Sequence, residues 1–349
     1  MCPDSSTLAH VRGVKSPTRI HEDPEFLLGQ WQLRDRILAP TPQAGAQFGS
    51  AVVFDRLASD RVVIAAHLED VPGRPIDTGR AYLYRLLDGQ WRMQQRIDPP
   101  VDATPGERMG SLPASMVLIG QRLYISSWGF SSPGRTFDGI VRVYRDLDSG
   151  PTLDYDIRQA APSDHSYFGA SIATESADPD HAVLYVGAPQ AIQGLQRTGT
   201  VTRVECSRDI IAGFTCSQQT LANPPSVRDG DWYGYYVDAR FGSVIVSAAL
   251  ASDLVASIPQ LGALYLLHPR TNAVQRLTPP YPESPAPTRF GDHAAILAGD
   301  VRTGIHRMVV AAPWYLDSAE VDGYARQIAA PGRLWLYDAP DRLFRDGFE

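Results

Sequence analysis

The chain has 349 residues, of which 44% are hydrophobic, and its formal net charge is −7. This is enough apolar material for one large domain or a closed ring of repeats, and the acidic balance argues against binding of nucleic acid. No run of about eighteen apolar residues occurs, so no transmembrane segment is predicted.

The first 27 residues lack the repeat described below and are predicted as an N-terminal extension. They begin Met1-Cys2-Pro3-Asp4 without a signal peptide, which we interpret as a start that follows a removed leader.

From residue 48 onward a two-residue motif, Phe-Gly or a near equivalent, recurs about every sixty residues. The copies are Phe48-Gly49, Met109-Gly110, Phe168-Gly169, Tyr233-Gly234 and Phe290-Gly291. Each copy continues with a short apolar run, a polar turn and a second apolar run that ends in small residues. A longer loop follows, then a glycine that opens a third, alternating strand, and a fourth strand closes the unit.

Short runs rich in Val, Ile and Tyr between Gly, Pro and Asp are typical of strands, and four strands per unit make one propeller blade. We therefore predict an all-β fold over residues 28–340, a five-bladed β-propeller with four-stranded antiparallel blades. Residues 30–40 resemble the fourth-strand segment 90–100 almost position by position but precede the first Phe-Gly. This N-terminal strand is predicted to close the last blade, which would leave no open edge in the ring.

The repeat resembles the FG-GAP family, the repeat of integrin α-subunit propellers, and more closely its bacterial variant, which reads roughly FGSSVA…DTLVVGAP…GAVYVF…GTWTQQAKL. The matching stretches are residues 48–52, 79–84, 90–95 and 185–189. The resemblance covers residues 28–340 and implies a propeller that binds ligands on one loop face. It does not choose among adhesion, sugar binding and catalysis.

The resemblance also raises the question of structural calcium, because the integrin-type repeat often carries an acidic loop between its first two strands. Calcium requires six to eight oxygen ligands. Blade three offers Glu175, Asp178 and Asp180 at that place, while blade five has Asp300 with Arg302 and His306 where ligands would be needed. The alternative is that these acids are ordinary turn residues. No other cofactor is predicted.

Cys206 and Cys216 lie at the ends of the two strands predicted to form the outer hairpin of blade three. Facing positions on such a hairpin allow a disulfide, which favours a secreted, cell-surface or periplasmic protein. Two free thiols are the alternative. The tail, residues 341–349, resembles short tails ending in Asp-Gly-Phe-Glu on exported bacterial proteins and is interpreted as a sorting or processing tag.

Two sets of loops are predicted to share one face: those that enter each Phe-Gly and those that join the second and third strands. Aromatic rings there suit the C–H faces of pyranoses, and Arg and Asp suit hydroxyls or uronate carboxylates. The predicted ligand-binding residues are Arg74, Asp77, Arg108, Trp128, Arg135, Asp138, Trp232, Arg289, Trp314 and Tyr315. Alternatively, Arg74 with Asp77 and Arg135 with Asp138 hold their loops as ion pairs, and the two tryptophans Trp128 and Trp314 pack between blades.

No catalytic motif is recognised in the sequence. Asp292 directly follows the last Phe-Gly and would face the central channel, and His165 precedes the third Phe-Gly, where it or Tyr167 would suit a lyase base. The leading hypothesis is a secreted or surface module that binds glycans or a partner protein. The alternatives are a glycoside hydrolase or polysaccharide lyase with its site at the channel mouth, and a purely structural interaction domain.

Overall fold

The computed structural model describes residues 36–209, 211, 213–252, 260–269, 271, 273–279, 288–300, 304–313, 317–321, 324–328 and 333–338. Over these residues the chain is all β and forms the predicted five-bladed propeller, without any helix. Consistent with this, the described residues include no helix that could cross a membrane.

Four blades are four-stranded antiparallel sheets with strands in chain order. Blade one contains β1 (Phe48–Phe54), β2 (Arg61–Ala66), β3 (Arg80–Leu87) and β4 (Gln90–Ile97). Blade two contains β5 (Met116–Ile119), β6 (Arg122–Ser127), β7 (Ile140–Arg145) and β8 (Thr152–Ile157). Blade three contains β9 (Ser171–Thr174), β10 (His181–Ala188), β11 (Thr200–Asp209) and β12 (Gly213–Thr220), and blade four contains β13 (Tyr233–Arg240), β14 (Ser243–Ala248), β15 (Ala263–His268) and β16 (Ala273–Leu277).

Blade five contains β17 (His293–Asp300), β18 (Gly304–Ala312) and β21 (Arg333–Asp338) in its sheet. Between the last two strands, where the sequence suggested only a long loop, β19 (Asp317–Val321) and β20 (Tyr324–Ile328) form a hairpin. The dipeptide Asp322-Gly323 that separates them in sequence is one that favours tight hairpins. Of the segment expected to add the fourth strand, residues 30–35 lie outside the described residues and residues 36–40 form no strand, so closure by residues 30–40 stays a prediction.

Burial follows the order of strands within a blade. The second strands are buried along their length, as in β2 and β6, whereas the outer strand β4 alternates between exposed and partly buried positions. First strands of successive blades contact one another, β5 with β1 and β9, and β13 with β9 and β17. The first strands therefore lie innermost, and the entry to each of them opens on the same end of the ring.

In blades one to four, the glycine that precedes the third strand permits the next blade to approach. Gly139 has φ +77° and forms a parallel bridge with Phe168, and a Cβ at this glycine would lie 2.1 Å from the Phe168 carbonyl oxygen. Gly199 makes the same bridge to Tyr233, where the corresponding distance is 2.2 Å. Only glycine combines this backbone conformation with so close a contact, which explains why the repeat keeps it.

The predicted disulfide is confirmed: Cys206 pairs directly with Cys216 across β11 and β12, and the two are disulfide-bonded. Trp91 and Trp335 pack edge-on to Phe54 and Phe290, at 5.9 and 5.2 Å between ring centroids.

Candidate functional site

The two loop sets meet on one face, as the sequence predicted, because they hydrogen-bond to each other across blade boundaries. The backbone N–H of Arg108 donates to the carbonyl of Asp77 at 3.1 Å, and that of Tyr167 donates to Phe137 at the same distance. Arg289 donates in the same way to Gln260 at 3.2 Å. Each strand 2–3 loop is thus fixed to the loop that enters the following blade.

The residue two positions before each repeated glycine adopts a left-handed backbone conformation. Its φ lies between +52° and +59° in all five blades, at Gln47, Arg108, Tyr167, Trp232 and Arg289. Residues with a Cβ disfavour this region by about 1–2 kcal/mol, and such strain clusters at ligand sites. Side chains larger than glycine or asparagine stand at all five positions, although those two residues would be less strained there.

Four half-buried rings from blades two and three come together on this face, and we call Trp128, Phe137, His165 and Tyr167 the loop-face cluster. Tyr167 lies edge-on to Trp128 at 5.2 Å and tilted to Phe137 at 6.2 Å between centroids. His165 lies 5.6 Å from Phe137 and 6.1 Å from Tyr167. The rings therefore form one contiguous aromatic surface built from two loops, β6–β7 and β8–β9.

A cation borders this cluster. The guanidinium carbon of Arg108 lies 5.3 Å from the centroid of the Trp128 ring, within cation–π range. Next to it, burial and the positive charge of Arg108 lower the pKa of His67, while Asp77 acts in the opposite direction. The His67 imidazole is therefore held neutral at neutral pH. Arg108 Nε, Trp128 Nε1 and His67 Nδ1 are buried and make no hydrogen bond within the described part of the chain.

A second group, the channel-mouth cluster, lies at the start of the innermost strands of blades four and five and contains Tyr235, Arg289, Asp292 and His293. The buried Asp292 carboxylate pairs with Arg289 Nη2 at 2.5 Å and with His293 Nδ1 at 3.1 Å. The Arg289 guanidinium carbon lies 5.3 Å from the Tyr235 ring centroid. Burial, and secondarily the charge of Asp292, raise the pKa of Tyr235, which therefore stays a hydrogen-bond donor.

The two residues considered separately for catalysis lie in different groups. Asp292 belongs to the channel-mouth cluster, and His165 packs in the loop-face cluster, so each acts among different neighbours. Trp232, a predicted ligand-binding residue, adjoins the channel-mouth cluster through Tyr235, with 5.9 Å between ring centroids.

The suggested loop-holding ion pairs do not form among the described residues. Asp138 is buried, and its carboxylate accepts hydrogen bonds from the backbone and hydroxyl of Ser132, whereas Arg135 is exposed. Arg74 Nε donates to the Pro99 carbonyl at 2.8 Å. Asp138 thus supports its loop from within through Ser132. Trp314 and Tyr315 lie outside the described residues.

The three acids considered for calcium make separate contacts. Glu175 Oε2 accepts the Gly242 N–H at 2.8 Å, Asp178 Oδ1 accepts the Asp180 N–H at 2.9 Å, and Asp180 lies 3.8 Å from Arg122 Nη2. Over the described stretches, no three His, Cys, Asp or Glu side chains come together as a metal site would require. These contacts match the alternative of ordinary turn residues.

Phe137 was not predicted from the sequence as a ligand-binding residue, and Tyr167 was considered only for its position on the face and as a base. Both stand two residues before a repeated glycine, Gly139 and Gly169, and both have positive φ, +51° and +54°. The periodic glycines were therefore a usable signal, since both aromatic residues stand at the same offset before one of them.

No protein-family model matches the chain, and no curated protein matches it. Among solved structures, the GH74 enzyme of Niastella koreensis is similar at 11% identity and a TM-score of 0.41, over 77% of this chain and 34% of that one, so the chain spans about a third of that enzyme's length. The GH43 endo-arabinanase of Bacillus licheniformis is similar at 11% identity and a TM-score of 0.36, over 84% and 94% of the two chains. At these levels of similarity neither enzyme indicates what this chain does.

Proposed function

We propose that this propeller is a glycan-binding module of the FG-GAP type that uses the loop-face cluster as its contact surface. The observation that supports it most is the contiguous set of half-buried rings of Trp128, Phe137, His165 and Tyr167, presented on loops that a rigid ring of sheets holds in place. Aromatic faces of this kind suit the C–H side of a sugar ring.

Polar groups at the edge of the cluster supply the directional contacts that a glycan needs. The exposed Asp164 adjoins His165, and its Oδ1 accepts the Thr136 N–H at 3.1 Å. Arg197 Nη1 donates to the carbonyls of Asp164 and Gln190 at 3.0 and 3.2 Å. A carboxylate and a guanidinium thus border the rings, where sugar hydroxyls would reach them. The disulfide favours an oxidising compartment, in keeping with a secreted or surface protein.

The test measures the binding of asparagine variants to a glycan array. Calorimetry then measures their affinity for the glycan that the wild-type protein binds most strongly. Phe137→Asn and Tyr167→Asn remove a ring but retain a residue that tolerates left-handed φ. Phe241→Asn is the matched control, because Phe241 also has positive φ, +55°, but lies in the β13–β14 turn at the opposite end of its blade. We expect at least tenfold weaker binding for the two cluster variants and unchanged binding for the control. Wild-type protein that binds no glycan but captures a protein partner would favour the protein-binding reading instead.

A second candidate function, a polysaccharide-acting hydrolase or lyase, is supported by the Asp292–His293 pair. A buried carboxylate that accepts from one imidazole nitrogen orients the ring and leaves its other nitrogen free for proton transfer. His293 is partly exposed beside Tyr236, with 5.4 Å between ring centroids. Incubation with neutral and acidic polysaccharides should then produce reducing ends or unsaturated uronates, and both Asp292→Asn and His293→Gln should abolish them. Unchanged product formation by both variants would remove this site from consideration.

A further inference from the structure

We infer that the ligand of the loop-face cluster is acidic and that Arg108 binds its anionic group. This inference rests on the proposed glycan-binding function and names the class of sugar. It starts from a difference between Arg108 and the other arginines that are largely withdrawn from solvent.

Most of the other arginines of this kind have carboxylate partners, while the half-buried Arg74 and Arg197 donate to backbone carbonyls instead. Arg61 pairs with Asp55 at 2.9 Å, Arg80 with Glu69 at 2.7 Å, Arg122 with Asp154 at 2.5 Å, Arg142 with Glu107 at 2.8 Å, and Arg289 with Asp292 at 2.5 Å. This is the normal arrangement, because a charge removed from water without a partner is costly. Arg108 is half-buried, yet within the described residues no carboxylate oxygen lies within 4.0 Å of its guanidinium.

Within the described residues, neither Glu107 nor Asp77 forms an ion pair with Arg108. Glu107, its neighbour in sequence, is fully buried and gives both carboxylate oxygens to Arg142. Asp77 receives the Arg108 N–H through its backbone carbonyl, and its carboxylate influences His67. His67 adds no negative charge and is held neutral. Among the residues that the structure describes, the guanidinium therefore has an aromatic neighbour, Trp128, but no counter-charge.

Such a cation suits an anionic ligand group. A guanidinium presents planar paired donors that match the two oxygens of a carboxylate or of a sulfate. Trp128 orients the guanidinium next to the rings of the cluster, so a sugar that packs on Phe137 and Tyr167 would bring its acidic substituent to Arg108. By contrast, the equivalent Arg289 already has Asp292 as its partner.

The experiment measures calorimetric binding of the full chain to polygalacturonate, to its methyl ester and to dextran sulfate. Arg108→Gln removes the charge and Arg108→Lys retains it without the planar donors. Arg92→Gln, on the exposed outer strand β4, matches the change in net charge away from the face. We expect wild type to bind an acidic polymer at least tenfold more tightly than the ester, Arg108→Gln to lose that preference, Arg108→Lys to retain part of it, and Arg92→Gln to behave as wild type.

A preference for dextran sulfate that Arg108→Gln abolishes would support the same site with sulfate as its anion. Equal binding of the ester and the acid, or an acidic preference that survives Arg108→Gln, would overturn this inference and leave glycan binding by the aromatic rings intact. Failure to bind any polymer, together with a blank glycan array, would overturn both.

Discussion

Glu107 and Arg142 form an ion pair in which both side chains are fully buried, with Nε–Oε1 at 2.8 Å and Nη2–Oε2 at 3.0 Å. Glu107 also accepts the Thr104 N–H at 3.0 Å. Arg142 lies on β7, whereas Glu107 immediately precedes Arg108 on the loop that enters blade two. The pair therefore connects the third strand of this blade to the loop that presents Arg108.

The first prediction concerns this pair. Glu107→Ala should lower the free energy of unfolding by about 3–5 kcal/mol, because it leaves the Arg142 charge buried without its main partner. The double variant Glu107→Ala with Arg142→Met should recover a large part of that loss, since it removes the buried charge as well. Chemical denaturation of the single and double variants measures both effects. A single variant as stable as wild type would show that the pair does not hold the loop.

The second prediction separates backbone conformation from blade contact. Gly199 and Gly134 both have positive φ, +83° and +78°, but a Cβ at Gly199 would lie 2.2 Å from the Tyr233 carbonyl oxygen, whereas nothing lies within 4 Å at Gly134. Gly134→Ala should lower the free energy of unfolding by about 1–2 kcal/mol, because alanine disfavours this backbone conformation. Gly199→Ala should lower the free energy of unfolding by about 1–3 kcal/mol more, because the added methyl group overpacks the contact between blades three and four. Thermal unfolding of the two variants checks this, and equal losses would argue against a close blade contact at Gly199.

The third prediction concerns the disulfide. Cys206 and Cys216 are 10 residues apart in sequence. Their hairpin carries Phe214, whose ring centroid lies 3.9 Å from the guanidinium carbon of Arg122. Replacing both cysteines with serine should lower stability by about 2–3 kcal/mol, as expected for closure of a short loop. A reductant should lower the melting temperature of wild type and leave the double variant unaffected. An equal response of the two proteins would show that the reductant acts elsewhere.

The fourth prediction is a loss of stability in mild acid. Burial lowers the pKa of His67 and His268 below the ordinary histidine value of 6.5, and the charge of Arg108 adds to the effect at His67. As pH falls through about 6.5, the unfolded chain takes up protons that the folded chain does not, so stability decreases there and levels off below the folded pKa values. The melting temperature should therefore be lower at about pH 5.5 than at about pH 7.5. Most carboxylates titrate below this pH range, so they contribute little to the difference.

His268→Gln provides the specific check on this pH effect. Its amide can take over the contact between His268 Nδ1 and Ser243 Oγ, which measures 3.0 Å, but it does not titrate. The decrease in melting temperature across this pH range should be smaller in the variant than in wild type. An identical decrease would exclude His268 as a contributor.

Much of the fold was predictable because its determinants are local and repeated. Gly139 and Gly199 stand at the same place in their units as Gly79 and Gly262, because each of these four blades approaches the next through that glycine. The facing positions of Cys206 and Cys216 likewise followed from the hairpin that contains them. The insertion β19–β20 was not predicted, because a single Asp-Gly dipeptide within a long loop carries no repeat to support it.

The binding residues were only partly predictable. Trp128 and Arg108 were both proposed from their loops, but their stacking was not, and Asp138 was assigned to the surface although it is buried against Ser132. An Asp beside an Arg in a loop has the same sequence pattern whether its carboxylate points outward or caps its own turn. The orientation depends on hydrogen bonds that only the folded loop makes.

The sequence by itself determined the number of blades, the order of strands and the end of the ring at which the loops gather, because periodic glycines and alternating apolar residues act within each repeat. Only the tertiary structure decided which side chains meet on that face. Left-handed residues such as Tyr167 are held by hydrogen bonds between neighbouring blades, and the buried Arg142 pairs with Glu107, which lies 35 residues earlier in the chain. These contacts have no local pattern, so Arg108 could be recognised as a cation without a counter-charge only once the blades were packed together.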